Sequence, residues 1–304
     1  MQVKQLVSNY LSQRSMRLHR SRIGWRVAPV YTRYLDRCRK ENPISVSPDP
    51  AVASAVDVFR RDGATSFWTE RTGKVAGAIS KRIVEREAAG ETLWKRVNDV
   101  ENTSNYVGDP WRDFPEFADL FSGDLGDFLK GYYGSHFKIL YGTLYRSVND
   151  VARKASQLWH SDGGPGICIN VMYYLHDTTP ANGTLETLPW DTSLKIYEQE
   201  KSAERRGELD QFSGSHRDRI CAFYASKIEQ EHKARVSQPS GKAGLVVPFL
   251  NNTLHRGGFP DPGMSRTAIV FHCYPSHQAT DLSRYRTKGI AKLMPYPKDP
   301  TIEF

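Results

Sequence analysis

Thr267-Ala-Ile-Val-Phe-His-Cys-Tyr274 is the last of four short runs that are rich in β-branched and aromatic residues. The other three are Phe137-Lys-Ile-Leu-Tyr-Gly-Thr-Leu-Tyr145, Ile167-Cys-Ile-Asn-Val-Met-Tyr-Tyr-Leu175 and Gly244-Leu-Val-Val-Pro-Phe249. Runs of this kind, bounded by turn residues, are typical of strands. Because helices do not alternate regularly with these strands, they predict an antiparallel sandwich or jelly roll rather than a doubly wound parallel sheet.

Helical periodicity precedes these strands. Apolar residues recur at helical spacing over Ala51–Arg61, and Gly73–Ala89 has the pattern of a second helix. A further candidate, Trp111–Lys130, is interrupted by Gly123 and Gly126. We therefore expect helices before the strands begin.

A charged segment from Ser193 to about Ser240 separates two of the predicted strands and is crowded with Lys, Glu and Arg. It predicts one or two exposed helices inserted into a fold that is mainly β with α decorations. The expected divisions of the chain are a basic N-terminal arm over 1–50 and a single domain over 51–304, with helical support over 51–130, a jelly-roll core over 131–280, an insertion over about 191–240 and a C-terminal tail over 281–304.

The positive charge of the chain is concentrated in its N-terminal arm. The net charge is +8 over 304 residues, and Asp36 is the first acidic residue. The basic residues that precede it are Lys4, Arg14, Arg17, Arg20, Arg22, Arg26 and Arg33. Such an arm is typical of nucleic-acid binding, of contact with an anionic membrane, of a targeting peptide or of a solvated basic helix.

Four cysteines, Cys38, Cys168, Cys221 and Cys273, are scattered without a Cys-x-x-Cys pair. This spacing argues against a zinc cluster or a disulfide framework. No stretch approaches the roughly 18 apolar residues of a membrane-spanning helix. We expect a soluble protein in a reducing, cytoplasmic setting, and do not favour organellar targeting by the basic arm.

The strongest chemical signal is the run Trp159-His-Ser-Asp-Gly-Gly164. At the end of a strand, the spacing of His160 and Asp162 directs both side chains to the same face. His255, just before the last strand, supplies a third candidate ligand. Two histidines and one carboxylate are the facial triad of non-haem iron(II), although zinc accepts similar ligands. The alternative is that His160 and His255 are hydrogen-bonded histidines near the rim of a barrel.

Arg266 opens the final strand, eleven residues after His255. Its planar guanidinium suits a buried carboxylate better than a lysine ammonium does. Thr267 could add a hydroxyl donor or serve packing alone, and Tyr145 and Asn170 are further candidates for contact with a co-substrate.

Together these features resemble the phytanoyl-CoA dioxygenase family of 2-oxoglutarate oxygenases. The resemblance is carried by His160-x-Asp162, Asn182-Gly-Thr-Leu185, His255 and Arg266, and spans about Phe137 to Ser276. It implies a cupin-like double-stranded β-helix in which the triad binds Fe(II), Arg266 binds the C5 carboxylate of the co-substrate 2-oxoglutarate, and O2 is the oxidant.

Two features bear on the substrate and the reaction. Family members often follow Gly-Thr-Leu with Pro-Gly-Ser-His, whereas this chain continues with Leu188-Pro-Trp-Asp191. Relatives that halogenate replace the metal-binding aspartate by a small residue, but Asp162 is present here. The resemblance therefore implies hydroxylation of an unactivated C–H bond in a small-molecule substrate, with release of succinate and CO2.

Four more residues are candidates for substrate contact: Trp159, Tyr173, Trp190 and His272. Core packing is the alternative for Trp159, Trp190 and His272. His176 and Asp177 form a second His/Asp pair, which we assign to a turn because no third ligand accompanies it. His216 and His232 fall in the charged insertion and are expected to be solvated.

The rival hypothesis is a catalytically inactive jelly-roll module whose basic arm binds nucleic acid or an anionic membrane. Such a module has no need of the triad and Arg266 together. The strand-rich half also lacks a concentrated basic patch interleaved with aromatic residues. We therefore expect a small-molecule substrate, no specific nucleic acid, and at most weak contact of the arm with anionic surfaces.

Overall fold

The structure, a computed structural model, describes residues 29–46, 48–96, 102–149, 152–162, 167–283 and 285. The helices are α1 (Pro29–Glu41), α2 (Pro50–Asp62), α3 (Glu70–Ala88), α4 (Pro110–Asp113), α5 (Phe117–Ser122), α6 (Asp124–Tyr133), α7 (Trp190–Arg205) and α8 (His216–Lys227). The strands are β1 (Trp94–Arg96), β2 (Thr103–Tyr106), β3 (His136–Val148), β4 (Ile169–Tyr174), β5 (Glu186–Thr187), β6 (Val246–Leu250), β7 (His255–Arg256) and β8 (Ser265–Ser276). All four strands predicted from the apolar runs are confirmed.

Capping side chains fix where the front helices begin. Asp49 Oδ1 accepts the Ala51 N–H at 2.8 Å ahead of α2, and Thr69 and Thr72 exchange side-chain and backbone hydrogen bonds at the start of α3. The predicted third helix is divided into α4, α5 and α6. Gly123 separates α5 from α6, but the prediction that Gly126 also interrupts a helix is wrong. Gly126 lies inside α6, where a Cβ would overlap the carbonyl oxygen of Phe121.

The strands form two antiparallel sheets. The major sheet has six strands in the order β1-β2-β3-β8-β4-β6, and β5 pairs with β7 in a minor sheet. Isolated bridges widen the minor sheet, because His160 pairs with His255 and Thr187 pairs with Ser237. Ser237, Thr187, His255 and His160 therefore form one rung across four chain segments. Two sheets of this kind form the predicted double-stranded β-helix.

The two faces of the major sheet have different surroundings. On the face that we call outer, Phe271 of β8 packs on Trp111, Phe117 and Phe121 of the front helices, with ring centroids 6.5, 5.4 and 4.8 Å apart. On the opposite, inner face, Met172, Tyr174, Val247, Phe249 and Ala268 belong to a separate apolar cluster. The inner face is directed at the minor sheet, since the rings of Phe249 and His255 lie 4.6 Å apart.

Part of the predicted basic arm is the helix α1. Tyr34, Leu35 and Cys38 of this helix are buried in the same cluster as the outer face. Residues 1–28, with most of the arm's basic side chains, lie outside the described residues. The division of the chain into an arm and a single domain stays a prediction.

Helices α7 and α8 occupy the charged insertion. They have an apolar cluster of their own, which includes Ile196, Tyr197, Ile220 and Phe223 and reaches Leu254 beside the minor sheet. Among the described residues, no helix combines the length and the apolar character needed to cross a bilayer.

Candidate metal centre

His160, Asp162 and His255 come together in the structure. One nitrogen or oxygen of each side chain lies within 4.8 Å of the other two. His160 Nε2 is 3.5 Å from Asp162 Oδ1, and His255 Nε2 is 3.6 Å from Asp162 Oδ2. The rung of the minor sheet explains the convergence, because it places the two histidine rings opposite each other with centroids 4.4 Å apart. The predicted strand before Asp162 is only this single bridge.

Backbone carbonyls orient both imidazole rings. His160 Nδ1 lies 2.7 Å from the Leu158 carbonyl oxygen, and His255 Nδ1 lies 2.8 Å from that of Thr253. A hydrogen bond to a carbonyl requires a proton on Nδ1, which leaves Nε2 as the free electron-pair donor. Both Nε2 atoms are on the side of Asp162, as metal ligation requires.

The charges of the group are also suited to a metal ion. Burial and the nearby His160 lower the pKa of His255 to about 4, so this ring is neutral at physiological pH. Burial opposes ionisation of Asp162, but His255 and His160 outweigh it and hold the pKa of this carboxyl well below its usual range. A neutral imidazole and an ionised carboxylate are the forms that bind metals.

Asn170 and Asn251 hold Asp162 in place, the first through its carboxylate and the second through its backbone. The side-chain amide of Asn170 donates to Asp162 Oδ2, and the backbone N–H of Asp162 donates to the Asn251 carbonyl at 3.0 Å. Asn170 is thus next to the site as expected, but it contacts the candidate ligand. Asn251 was not singled out from the sequence, although it directly follows β6.

Arg266 lies on the inner face and is 2% exposed. It donates to the carbonyl of Gly183 and, at 3.4 Å, to that of Gly258 and the hydroxyl of Ser147. Its Nε is buried without a hydrogen-bond partner, and no described acidic side chain forms an ion pair with it. A buried guanidinium in this state can receive an anionic ligand.

Three aromatic side chains on the inner face surround this part of the site. Tyr145 stacks near Arg266, with 5.7 Å from the guanidinium carbon to the ring centroid, and burial raises the pKa of Tyr145 while Arg266 opposes the rise. Tyr174 has the same two influences on its pKa, and its hydroxyl accepts the Leu185 N–H at 2.8 Å. His272 is paired opposite Asn170 in the sheet, and burial lowers its pKa.

Two further candidates from the sequence, Tyr173 and Thr267, point to the outer face of the major sheet. Tyr173 donates its hydroxyl to the Thr72 carbonyl at 2.6 Å, inside the cluster of the front helices. Thr267 accepts from Arg146 Nε at 3.2 Å, also away from Arg266. Successive strand residues point to opposite faces, so Tyr174, four residues after Asn170, is the tyrosine that reaches the site.

The two tryptophan candidates are not at the triad. Trp159 is 3% exposed and packs in the cluster of α7 and α8, behind the minor sheet. Trp190 begins α7 and is partly buried against the same cluster. Trp159 points away from the triad because the residue next to a strand-borne ligand points to the reverse face of the sheet. Substrate contact by either tryptophan stays a prediction.

The remaining histidines are dispersed. His176 lies in a bend, where its Nε2 accepts the Thr267 N–H at 2.7 Å. His216 is exposed, whereas His232 is half-buried between α7 and α8. Neither His216 nor His232 belongs to a metal-binding group among the residues the structure describes.

Fold and site together define a jelly-roll protein with a partly buried group of two histidines and one carboxylate that could hold a metal ion. No protein-family model matches the chain, and no curated protein matches it significantly. Solved structures resemble it at low sequence identity. AviO1 from Streptomyces viridochromogenes Tue57 is 18% identical, with 78% of this chain and 99% of AviO1 covered and a TM-score of 0.47.

Two further structures resemble the chain to a similar degree. HygX from Streptomyces hygroscopicus, with nickel and 2-oxoglutarate bound, is 15% identical over 74% of this chain and 88% of HygX, with a TM-score of 0.48. The non-haem α-ketoglutarate-dependent carbocyclase SnoK from nogalamycin biosynthesis is 18% identical over 79% of this chain and 94% of SnoK, with a TM-score of 0.49. Likenesses this distant do not carry a functional assignment.

Proposed function

We propose that this protein is an Fe(II)- and 2-oxoglutarate-dependent dioxygenase that resembles the phytanoyl-CoA dioxygenase family. One observation carries the proposal: the triad and a buried Arg266, which has no carboxylate partner among the described residues, lie on facing sides of the same barrel. A metal centre alone would need no guanidinium, and an anion site alone would need no triad. A redox co-substrate that binds the metal and also has a distant carboxylate uses both.

The donor set fits iron(II). His160, Asp162 and His255 would hold the ion through two imidazole nitrogens and one carboxylate oxygen, which is the pattern that leaves coordination positions open for other ligands. When bound, iron(II) supplies activation of O2 coupled to decarboxylation of 2-oxoglutarate to succinate and CO2. The oxidised product would be a hydroxylated small molecule.

This chain's own residues would bind and orient the co-substrate. The free Nε of Arg266 can donate to the C5 carboxylate, and burial strengthens that pairing because water does not compete. Asn170 keeps the Asp162 carboxylate turned toward the two histidines. His272 and Tyr174 add further polar groups to the inner face, beside those of Asn170 and Arg266.

Hydroxylation is the outcome that the ligand set favours. Asp162 occupies the position that halogenating relatives leave to chloride, so an oxygen-transfer reaction fits better. The four cysteines are buried free thiols, which fits the cytoplasmic setting we propose. The partner we propose is a small-molecule substrate.

Anaerobic titration of the metal-free protein with Fe(II) and 2-oxoglutarate tests this function. The wild type should develop the visible charge-transfer band of 2-oxoglutarate bound to Fe(II). His255→Ala should lose the band, and Arg266→Ala should need about tenfold or more 2-oxoglutarate to form it. His216→Ala, at an exposed histidine, is the matched control and should behave as wild type. A folded wild type that gives no band would exclude the proposal.

A further inference from the structure

The two histidine ligands sit on strands that are unusually short. His160 joins the minor sheet through a single bridge, in which it and His255 exchange two backbone hydrogen bonds of 2.9 Å. β5 and β7 are two residues long. So few ladder bonds restrain the backbone weakly. The relative positions of the two imidazoles therefore need support from elsewhere.

A second row of side chains lies directly behind the histidine rung. Arg256 is opposite Glu186 in the pairing of β5 with β7. The antiparallel register of the His160–His255 bridge places Trp159 opposite Arg256 on its other side. Because neighbouring strand residues point to opposite faces, all three side chains lie on the reverse of the minor sheet from the ligands.

Arg256 contacts both of its neighbours in this row. Its Nη2 is 2.7 Å from Glu186 Oε2, and the Glu186 side chain is only 10% exposed. Its guanidinium carbon lies 4.8 Å from the centre of the buried Trp159 ring. One planar group thus joins the segments on the two sides of β7, through an ion pair to Glu186 of β5 and stacking on Trp159 beside His160.

We propose that Arg256 is a positioning residue that holds the His160 and His255 strands in register for metal binding. It touches neither ligand side chain and acts through the backbone of the residues beside them. Lysine cannot replace it fully, because an ammonium lacks the flat face that covers Trp159. The proposal rests on the metal centre of the proposed function.

Arg153 provides a matched control in the same cluster. Its Nη1 is 3.8 Å from Glu186 Oε1, and its guanidinium stacks near Phe259, 5.3 Å from the ring centre. A neutral substitution of Arg153 removes the same positive charge as one of Arg256. Arg153, however, is not on a strand that carries a metal ligand. A loss of charge alone would therefore affect both arginine variants alike.

Titration of the metal-free protein with Co(II), followed by its d–d absorption, measures the effect without turnover. Arg256→Met should bind Co(II) about tenfold more weakly and show a shifted band, as is usual when support of a metal ligand is removed. Arg153→Met should keep the wild-type affinity and band. Arg256→Lys, which retains the charge beside Glu186, should fall between the two and guards against misfolding of Arg256→Met.

The outcomes separate this inference from the function on which it rests. A wild type that takes up no Co(II) would overturn the metal centre and the positioning role together. Wild-type binding with equal affinity and an equal band in the folded Arg256 variants would overturn the positioning role alone. Equal losses in Arg256→Met and Arg153→Met would also overturn it, since they would trace to the charge of the cluster.

Discussion

The inner and outer faces of β8 belong to one strand but have different contacts and different roles. Residues 267, 269, 271 and 273 point to the front helices, where Phe271 is completely buried among aromatic rings. Residues 266, 268, 270 and 272 point to the minor sheet and include Arg266 and His272. One face stabilises the fold, and the other presents polar groups that folding alone does not require.

The difference between the faces shows how β8 can carry buried polar groups that destabilise the fold. Leaving a buried polar group such as Arg266 Nε unpartnered destabilises a protein by roughly 1–3 kcal/mol. The apolar contacts of a single outer-face aromatic can offset that amount. Stability and ligand binding should therefore respond separately to changes on the two faces.

The largest effect should come from the outer face. Phe271→Ala removes a fully buried ring from contacts with Trp111, Phe117 and Phe121, and should lower the free energy of unfolding by about 3–5 kcal/mol. Chemical denaturation measures this loss, and Val84→Ala at an exposed helix position is the control. Metal affinity of the folded protein should be unchanged. A tenfold weaker affinity would show that the two faces are coupled.

On the inner face, His255 should make the stability of the metal-free protein depend on pH. The pKa of His255 is lowered to about 4, so between pH 6.5 and 4 the unfolded chain binds a proton that the folded chain does not. The free energy of unfolding of the metal-free protein should therefore decrease as the pH is lowered through this window. His255 should contribute up to about 3 kcal/mol of that decrease. His255→Gln should flatten the dependence, whereas His216→Gln should leave it unaltered. Identical slopes in all three proteins would contradict a buried neutral His255.

The smallest effects should separate two adjacent tyrosines. Tyr173→Phe removes the hydrogen bond to the Thr72 carbonyl and should cost about 1 kcal/mol of stability without affecting 2-oxoglutarate binding. Tyr174→Phe removes a hydroxyl on the Arg266 side and should weaken 2-oxoglutarate binding several-fold. Denaturation curves and co-substrate titrations on both variants make the comparison. Interchanged results would reverse the assignment of the faces.

The sequence was sufficient for the parts of the site that depend on spacing. His255 begins β7, Arg266 is the second residue of β8, and His160 and Asp162 are two residues apart at an isolated bridge, so short local patterns indicate their directions. The faces to which Tyr173 and Thr267 point could not be predicted from the sequence, for one reason. Both faces of β4 and β8 are largely buried, so apolar and aromatic residues occur on both faces and their pattern does not show which residues point inward.

Long-range contacts account for the rest. The pairing of Arg256 with Glu186 depends on a register between distant segments, as does the burial of Trp159 behind the minor sheet. Residues close in the chain could be interpreted, but partners brought together by topology could not.

The pairing of Thr187 with Ser237 has a consequence for the evolution of the molecule. These residues, joined by two hydrogen bonds of 2.9 Å, stand where the chain leaves the barrel for α7 and α8 and where it returns. The ends of the whole excursion are thus one strand spacing apart, about 4.8 Å. The segment between Thr187 and Ser237 can therefore change in length or sequence during evolution while every strand of the barrel keeps its neighbours.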